Sequence, residues 1–142
     1  MRHRVSCGVI PVHIMEDGTI TFLLVQGYGR YWGFPKGGKE GEETHKETAE
    51  RELFEETQLV CDYFVEKALY TERYLIPKKR GTDIMKKVIY YVGVVTNTKV
   101  VRQTTELRDH GWFTFEEAQK RLINDRSILL EKVYQRLKKS TQ

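Results

Sequence analysis

Glu52, Glu55 and Glu56 stand at i, i+3 and i+4 in the segment Thr44 to Thr57. If that segment is helical, a turn of 100° per residue puts the three carboxylates in one arc of about 100°, within a single turn. Acidic stripes are common on surface helices, but like charges at this spacing repel by about 0.2–0.5 kcal/mol per pair. Arg51 lies one turn before Glu55 and offsets its charge, whereas no Lys or Arg lies one turn from Glu52 or Glu56. A hard divalent cation would relieve the repulsion and takes oxygen ligands of this kind. The stretch before the helix is Phe34-Pro35-Lys36-Gly37-Gly38-Lys39, a glycine-rich loop with a lysine on each side. Such a loop lets backbone and ammonium groups approach phosphate oxygens closely. A metal site beside a phosphate cradle points to metal-assisted phosphoryl or nucleotidyl transfer.

These groups need a scaffold. Arg4 to Ile14 reads as a strand, Glu16-Asp17-Gly18 as a turn, and Thr19 to Gln26 as a second strand rich in β-branched and aromatic residues, so the pair forms a hairpin. Gly27 to Gly41 is loop for much of its length. Thr44 to Thr57 is the strongest helical window, with no Gly or Pro and with Ala49 and Leu53 on one apolar face. Cys61 to Ile76 and Ile84 to Thr96 read as strands around a basic loop, Pro77 to Asp83. Gly111 to Phe115 is a short strand or strand end, Thr114-Phe115-Glu116-Glu117 opens a helix with a capping box, and Asp125 to Lys139 is a final helix. Its inner side is expected to carry Ile128, Leu129, Val133 and Leu137. Strands, helix, strands, helices make an α+β protein with a mixed sheet and flanking helices.

The chain has 142 residues and a net charge of +4, the profile of one domain spanning residues 1–142. Cys7 and Cys61 are the only cysteines and form no CxxC pair, which excludes zinc-ribbon and disulfide-scaffold classes. Nothing approaches the roughly 20 apolar residues of a membrane span. No secretory signal is visible, so the expected location is the cytoplasm, with no membrane partner and a monomeric state. The modest positive charge is compatible with a polyanionic substrate.

The run Gly37-x5-Glu43-x7-Arg51-Glu52-Leu53-x-Glu55-Glu56-x-Gln58-Leu59 resembles the Nudix box, the signature of enzymes that hydrolyse a nucleoside diphosphate linked to another moiety. The spacing matches throughout and every charged position is present. Gln58 is the one departure: the family pattern has Gly there, and Gln costs roughly 1–2 kcal/mol if it keeps the left-handed helix end. The resemblance implies a Nudix-like α/β/α sandwich. It implies that Glu52, Glu55 and Glu56 hold Mg2+ or Mn2+ with the Lys36 carbonyl, and that Arg51 orients a carboxylate through Glu55. Gly37, Gly38 and Glu43 belong to the motif loop. Glu43 is left two roles, binding metal through water or steadying the loop.

The substrate class is narrowed by a wider likeness. Trp32-Gly33-Phe34-Pro35-Lys36-Gly37, Lys86 to Tyr91, Glu106-x-x-Asp109-x-x-Trp112 and Phe115 to Ala118 are similar to stretches of asymmetric diadenosine tetraphosphate hydrolases. This implies hydrolysis of diadenosine tetraphosphate to ATP and AMP by attack of a metal-activated water on a phosphorus. The residues themselves agree with a polyphosphate: Lys78, Lys79, Arg80, Lys86 and Lys87 crowd positive charge into one stretch. Tyr74, Tyr90 and Tyr91 offer faces on which adenine could stack, although strand alternation sends either Tyr90 or Tyr91 into the core. Tyr28 and Tyr31 are weaker contact candidates, Trp32 is expected to pack the loop, and His45 and His110 read as surface residues. Glu56, then Glu106, are the candidate bases, and Lys36 would stabilise the leaving phosphate oxygens. Four other readings stay open: a Nudix hydrolase acting on the 5′ end of triphosphorylated RNA, a diphosphoinositol phosphate hydrolase, a non-catalytic nucleotide- or RNA-binding module, and an α+β domain with an acidic helix and no activity. The first of these typically carries Gln where this chain has Lys36.

Overall fold

Two tight turn devices fix where the elements begin and end. In the computed structural model, which describes residues 1–140, Thr44 caps helix α1 (His45–Thr57): its hydroxyl accepts from the Glu47 N–H while Glu47 accepts from the Thr44 N–H. Thr114 does the same with Glu117 at helix α2 (Phe115–Arg121), as the capping-box pattern predicts. Helix α3 (Asn124–Ser140) closes the chain.

The strands are β1 (Arg2–Ile14), β2 (Ile20–Gly27), β3 (Trp32–Gly33), β4 (Lys36–Gly38), β5 (Tyr63–Ile76), β6 (Ile84–Val94) and β7 (Leu107–Thr114). They form one mixed sheet in the order β3-β2-β1-β6-β5, with β4 added to β1 and β7 to β2. The expected hairpin is present, Val12 opposite Phe22, but only the end of β1 joins β2. The first half of β1 pairs instead with β4, Ser6 opposite Gly38 and Gly8 opposite Lys36. Its other edge runs parallel to β6 for its whole length, from Arg2 beside Ile84 to Val12 beside Val94.

Helices cover both faces. On one face Ala49 and Leu53 of α1 cluster with Cys7, Val9, Leu23 and Ile89; on the other Leu130 and Val133 of α3 and Ala118 of α2 cluster with Ile10, Phe22, Val88 and Tyr90. The parallel β1–β6 pair explains why their central residues are buried on both sides. The α3 face differs from the expected one at one position. Ile128 is 54% exposed and Leu130 is fully buried, because Leu130, Val133 and Leu137 share the inward line with Leu129 at its edge. The last strand is also longer than its sequence pattern suggests, since residues 107–110 pair with β2 through backbone bonds that side-chain pattern does not report. His110, read as a surface residue, is half-buried and accepts a bond from Arg102 Nη1 at 2.8 Å.

Gln58 ends α1 at φ 61°, and its N–H donates to the Phe54 carbonyl. The left-handed geometry of the motif is thus kept without its glycine. Among the described residues, no helix is long and apolar enough to cross a membrane.

Candidate active site

Residues of β2, β4, β6, α1 and α3 line a cleft of about 270 Å3. Its lining includes Lys36, Glu56, Glu106, Tyr31, Tyr90 and Arg126. Glu56 comes from the last turn of α1, Lys36 from β4, Glu106 from the loop before β7 and Arg126 from the first turns of α3.

Glu56 is 5% exposed, and its Oε2 accepts the backbone N–H of Lys36 at 3.0 Å. Burial, with the nearby Glu52 charge adding to it, pushes the Glu56 carboxyl up to about 8. Burial likewise raises Glu52. Gly37 is what allows this packing: a Cβ there would fall on the Glu52 carboxylate.

Arg51 gathers the remaining acids. Its Nε donates to Glu43 at 2.7 Å, its Nη1 to Glu52 and Glu55 at 3.0 Å each, and its Nη2 to the Gly38 carbonyl at 2.7 Å. The expected Arg51–Glu55 pair is there, and Arg51 also reaches Glu52 from the adjacent position, which i,i+4 reasoning does not anticipate. Glu43 accepts from Arg51, the Thr48 hydroxyl and the Glu40 N–H. These bonds tie the motif loop to α1. The Arg51 bonds hold the Glu43 carboxyl down at about 2.

Glu106 is brought to the cleft by backbone ties onto α1: Val101 N–H to the Thr57 carbonyl and Gln103 N–H to the Glu56 carbonyl, at 2.9 and 3.0 Å. Its charge reaches both Glu52 and Glu56. Among the described residues no three His, Cys, Asp or Glu side chains converge in a ready-made cation geometry. Arg51 draws Glu52 and Glu55 one way while Lys36 N–H holds Glu56. The donor chemistry nonetheless fits a hard divalent cation. Glu56 and Glu106 both line the cleft, and Glu56, buried there, cannot ionise easily without a positive charge nearby.

The cationic side is built from Lys36 and Lys86. Burial lowers both ammonium groups, and each carries a further lowering from a neighbouring cation, Arg126 for Lys36 and Lys36 for Lys86. Tyr74 lies opposite Lys86 in the β5–β6 register and is half-buried on the same face. Tyr90 is 1% exposed, edge-on to Phe34 with centroids 5.4 Å apart, and its hydroxyl donates to Glu72. It lines the cleft but has no free face. Tyr91 points to the opposite side of the sheet, under α1, where it packs edge-on to Phe64. Tyr31 and Tyr28 are exposed; Tyr31 borders the cleft, and the Tyr28 hydroxyl donates to the Thr104 carbonyl. Trp32 packs against Phe113, as expected of a loop-packing residue. Lys78, Lys79 and Arg80 are exposed in the loop between β5 and β6, and Lys87 faces away from Lys86.

Two cleft-side residues have no counterpart in the motif reading. Glu72, 7% exposed, accepts from Arg126 Nε at 2.8 Å. The signal for Glu72 was a charge two residues from Tyr74, on the inward face of a strand.

Residues 2–136 match the NUDIX domain family. The chain belongs to the NUDIX family. Among solved structures it is similar to the Ap4A hydrolase of C. elegans. A binary complex of that protein matches with a TM-score of 0.81 and 25% identity, over 94% of this chain and 97% of that one. A second structure of the same hydrolase gives 0.77 and 25%, over 96% and 99%. The NUDIX domain of Shewanella oneidensis NrtR, complexed with ADP ribose, shares the fold at a TM-score of 0.76 and 21% identity, over 96% and 90%.

Proposed function

We propose that this NUDIX hydrolase cleaves a dinucleoside polyphosphate, diadenosine tetraphosphate to ATP and AMP, with Mg2+ or Mn2+. One observation carries the reading: a cleft with acidic groups at one rim, Glu56 and Glu106, and half-buried cations beside them, Lys36 in the lining and Lys86 next to it. The likeness to the C. elegans Ap4A hydrolase over nearly the whole of both chains supports the choice of substrate.

Glu52, Glu55 and Glu56 would hold the cation, with the Lys36 carbonyl. The cation, when bound, supplies neutralisation of the phosphate chain and acidifies water. Water adds to one phosphorus, the P–O bond to the leaving phosphate breaks, and the water's proton passes to a carboxylate. Glu56 is the first candidate for that proton and Glu106 the second. Arg51 keeps the acids in register, and Lys36 and Lys86 carry the negative charge of the phosphate chain. Tyr74, beside Lys86, is the tyrosine placed to take an adenine; Tyr90 and Tyr91 would act only through packing. The site of action is the cytoplasm and the working unit a monomer.

A second reading, hydrolysis at the 5′ end of triphosphorylated RNA, is favoured by Arg4, which adds its charge beside Lys86. One experiment separates the two. The protein is incubated with Mg2+ and diadenosine tetraphosphate or 5′-triphosphate RNA, at two salt concentrations, and products are resolved by ion exchange. ATP plus AMP formed much faster than RNA is processed is the expected result. Rapid phosphate or pyrophosphate release from RNA, with little dinucleotide turnover and a steep salt dependence, would replace the first reading with the second.

A further inference from the structure

Arg126 sits on α3, an element to which the motif assigns nothing. Its guanidinium is held from two sides: Nε donates to Glu72 at 2.8 Å and Nη1 to the Trp32 carbonyl at 2.9 Å. Glu72 is itself fixed by the Tyr90 hydroxyl at 3.2 Å. Nη2 has no hydrogen-bond partner among the described residues, and the residue borders the cleft together with Lys36 and Glu56. Glycine at position 33 leaves room for it, since a Cβ there would press on Nη1 at 3.3 Å.

Arg126 and Lys36 both line the cleft and Lys86 neighbours Lys36, with Glu72 spent on Arg126 and Glu56 held by a backbone N–H. A staple of α3 onto β3 and β5 would need only the two bonds already made. A guanidinium half-anchored near two half-buried lysines presents a fixed donor to an anion with little loss of side-chain freedom on binding.

We propose that Arg126 is a substrate-contacting residue, donating through Nη2 to a phosphate oxygen of the polyphosphate chain, and that Glu72 is the positioning residue that aims it. This rests on the polyphosphate reading of the cleft. It extends the cationic wall from the motif loop onto α3, so that a longer phosphate chain finds a third cation.

The test uses Arg126→Gln, Arg126→Lys and Glu72→Gln in the full chain. Binding of inorganic tripolyphosphate is measured calorimetrically without metal, steady-state kinetics on diadenosine tetraphosphate with Mg2+, and melting temperature for each variant. Expected are a roughly tenfold weaker tripolyphosphate Kd and a similarly raised KM in Arg126→Gln, with kcat little changed. Arg126→Lys should recover part of the binding, and Glu72→Gln should weaken it while leaving the charge of residue 126 intact. Unchanged Kd and KM in Arg126→Gln, with only a lower melting temperature, would reduce Arg126 to a staple and overturn the proposal. Wild-type protein that binds tripolyphosphate but leaves diadenosine tetraphosphate intact would overturn the substrate reading alone, with the Arg126 contact still decided by the binding series. Wild-type protein that binds no tripolyphosphate would overturn the proposal outright.

Discussion

The Glu56 carboxylate accepts the backbone N–H of Lys36 at 3.0 Å, so the helix that carries the acids is tied directly to the loop that carries the lysine. Burial gives Glu56 a high proton affinity even though that bond favours the charged form. Glu56→Gln retains an oxygen acceptor for the N–H and loses the charge. Turnover of diadenosine tetraphosphate is expected to fall by about a thousandfold, within the range for loss of a general base. Circular dichroism and melting should show the fold intact. Full activity in a folded Glu56→Gln protein would remove Glu56 from the site.

The same residue predicts a pH effect on stability. Its carboxyl is raised to about 8 by burial, above the ordinary carboxylate value that it has when unfolded. A native state that binds the proton more tightly is favoured at low pH. This contribution is fully present below the ordinary carboxylate range and is lost as pH rises through about 8. Without divalent metal, Glu56→Gln should therefore melt higher than wild type at pH 9, by an amount on the order of a few kcal/mol. The gap should close toward pH 5. Added Mg2+ should stabilise wild type more than the variant. A wild-type protein equally stable at pH 5 and 9 in chelator, relative to the variant, would show that Glu56 is not held protonated.

Much of this arrangement was legible in the sequence, and what was not has a physical cause. Helix α1 could be read because the composition of residues 44–57 favours a helix and the acids repeat at its period. The β1–β2 hairpin could be read because its turn and β-branched strands are local. The Arg126–Glu72 bond joins residues 54 apart and exists only because α3 packs on β5, which no local pattern encodes. Tyr90 and Tyr91 were known to face opposite ways, but which one went inward depended on the β1–β6 register. Ile128 was misplaced because it stands at the edge of an apolar arc, where one residue's rotation separates buried from exposed.

Arg51 touches Glu43, Glu52, Glu55 and the Gly38 carbonyl with one planar group. Lysine offers a point charge and cannot span these acceptors. Arg51→Lys should lower kcat by about tenfold and destabilise the protein by about 2 kcal/mol, because the acids are left repelling one another. Kinetics and denaturant melts of the same preparation check both. An unchanged kcat would show that the acids hold their register without the guanidinium.

Lys86 stands beside Lys36 but outside the acidic rim, so it should act on binding more than on the chemical step. Lys86→Ala is expected to raise KM by about tenfold, with kcat within a factor of a few of wild type. The KM–kcat split is the readout, since a merely structural role would lower both with stability. If KM is unchanged, the phosphate chain does not reach this lysine.

The helix end at Gln58 carries a cost that glycine would not. Gln58 adopts φ 61° at an exposed position, where a Cβ is strained and no side-chain bond compensates among the described residues. Gln58→Gly removes the strain and keeps the Phe54 carbonyl bond, which comes from the backbone. The unfolded chain gains freedom from the glycine, which offsets part of the benefit. The expected net gain is about 0.5–1 kcal/mol, a rise of roughly 2–5 °C in melting temperature for a domain of this size. Activity should not change, because the residue touches none of the acids. A lower melting temperature would mean that the Gln58 side chain contributes more than its backbone strain costs, and that the departure from the family pattern stabilises this chain.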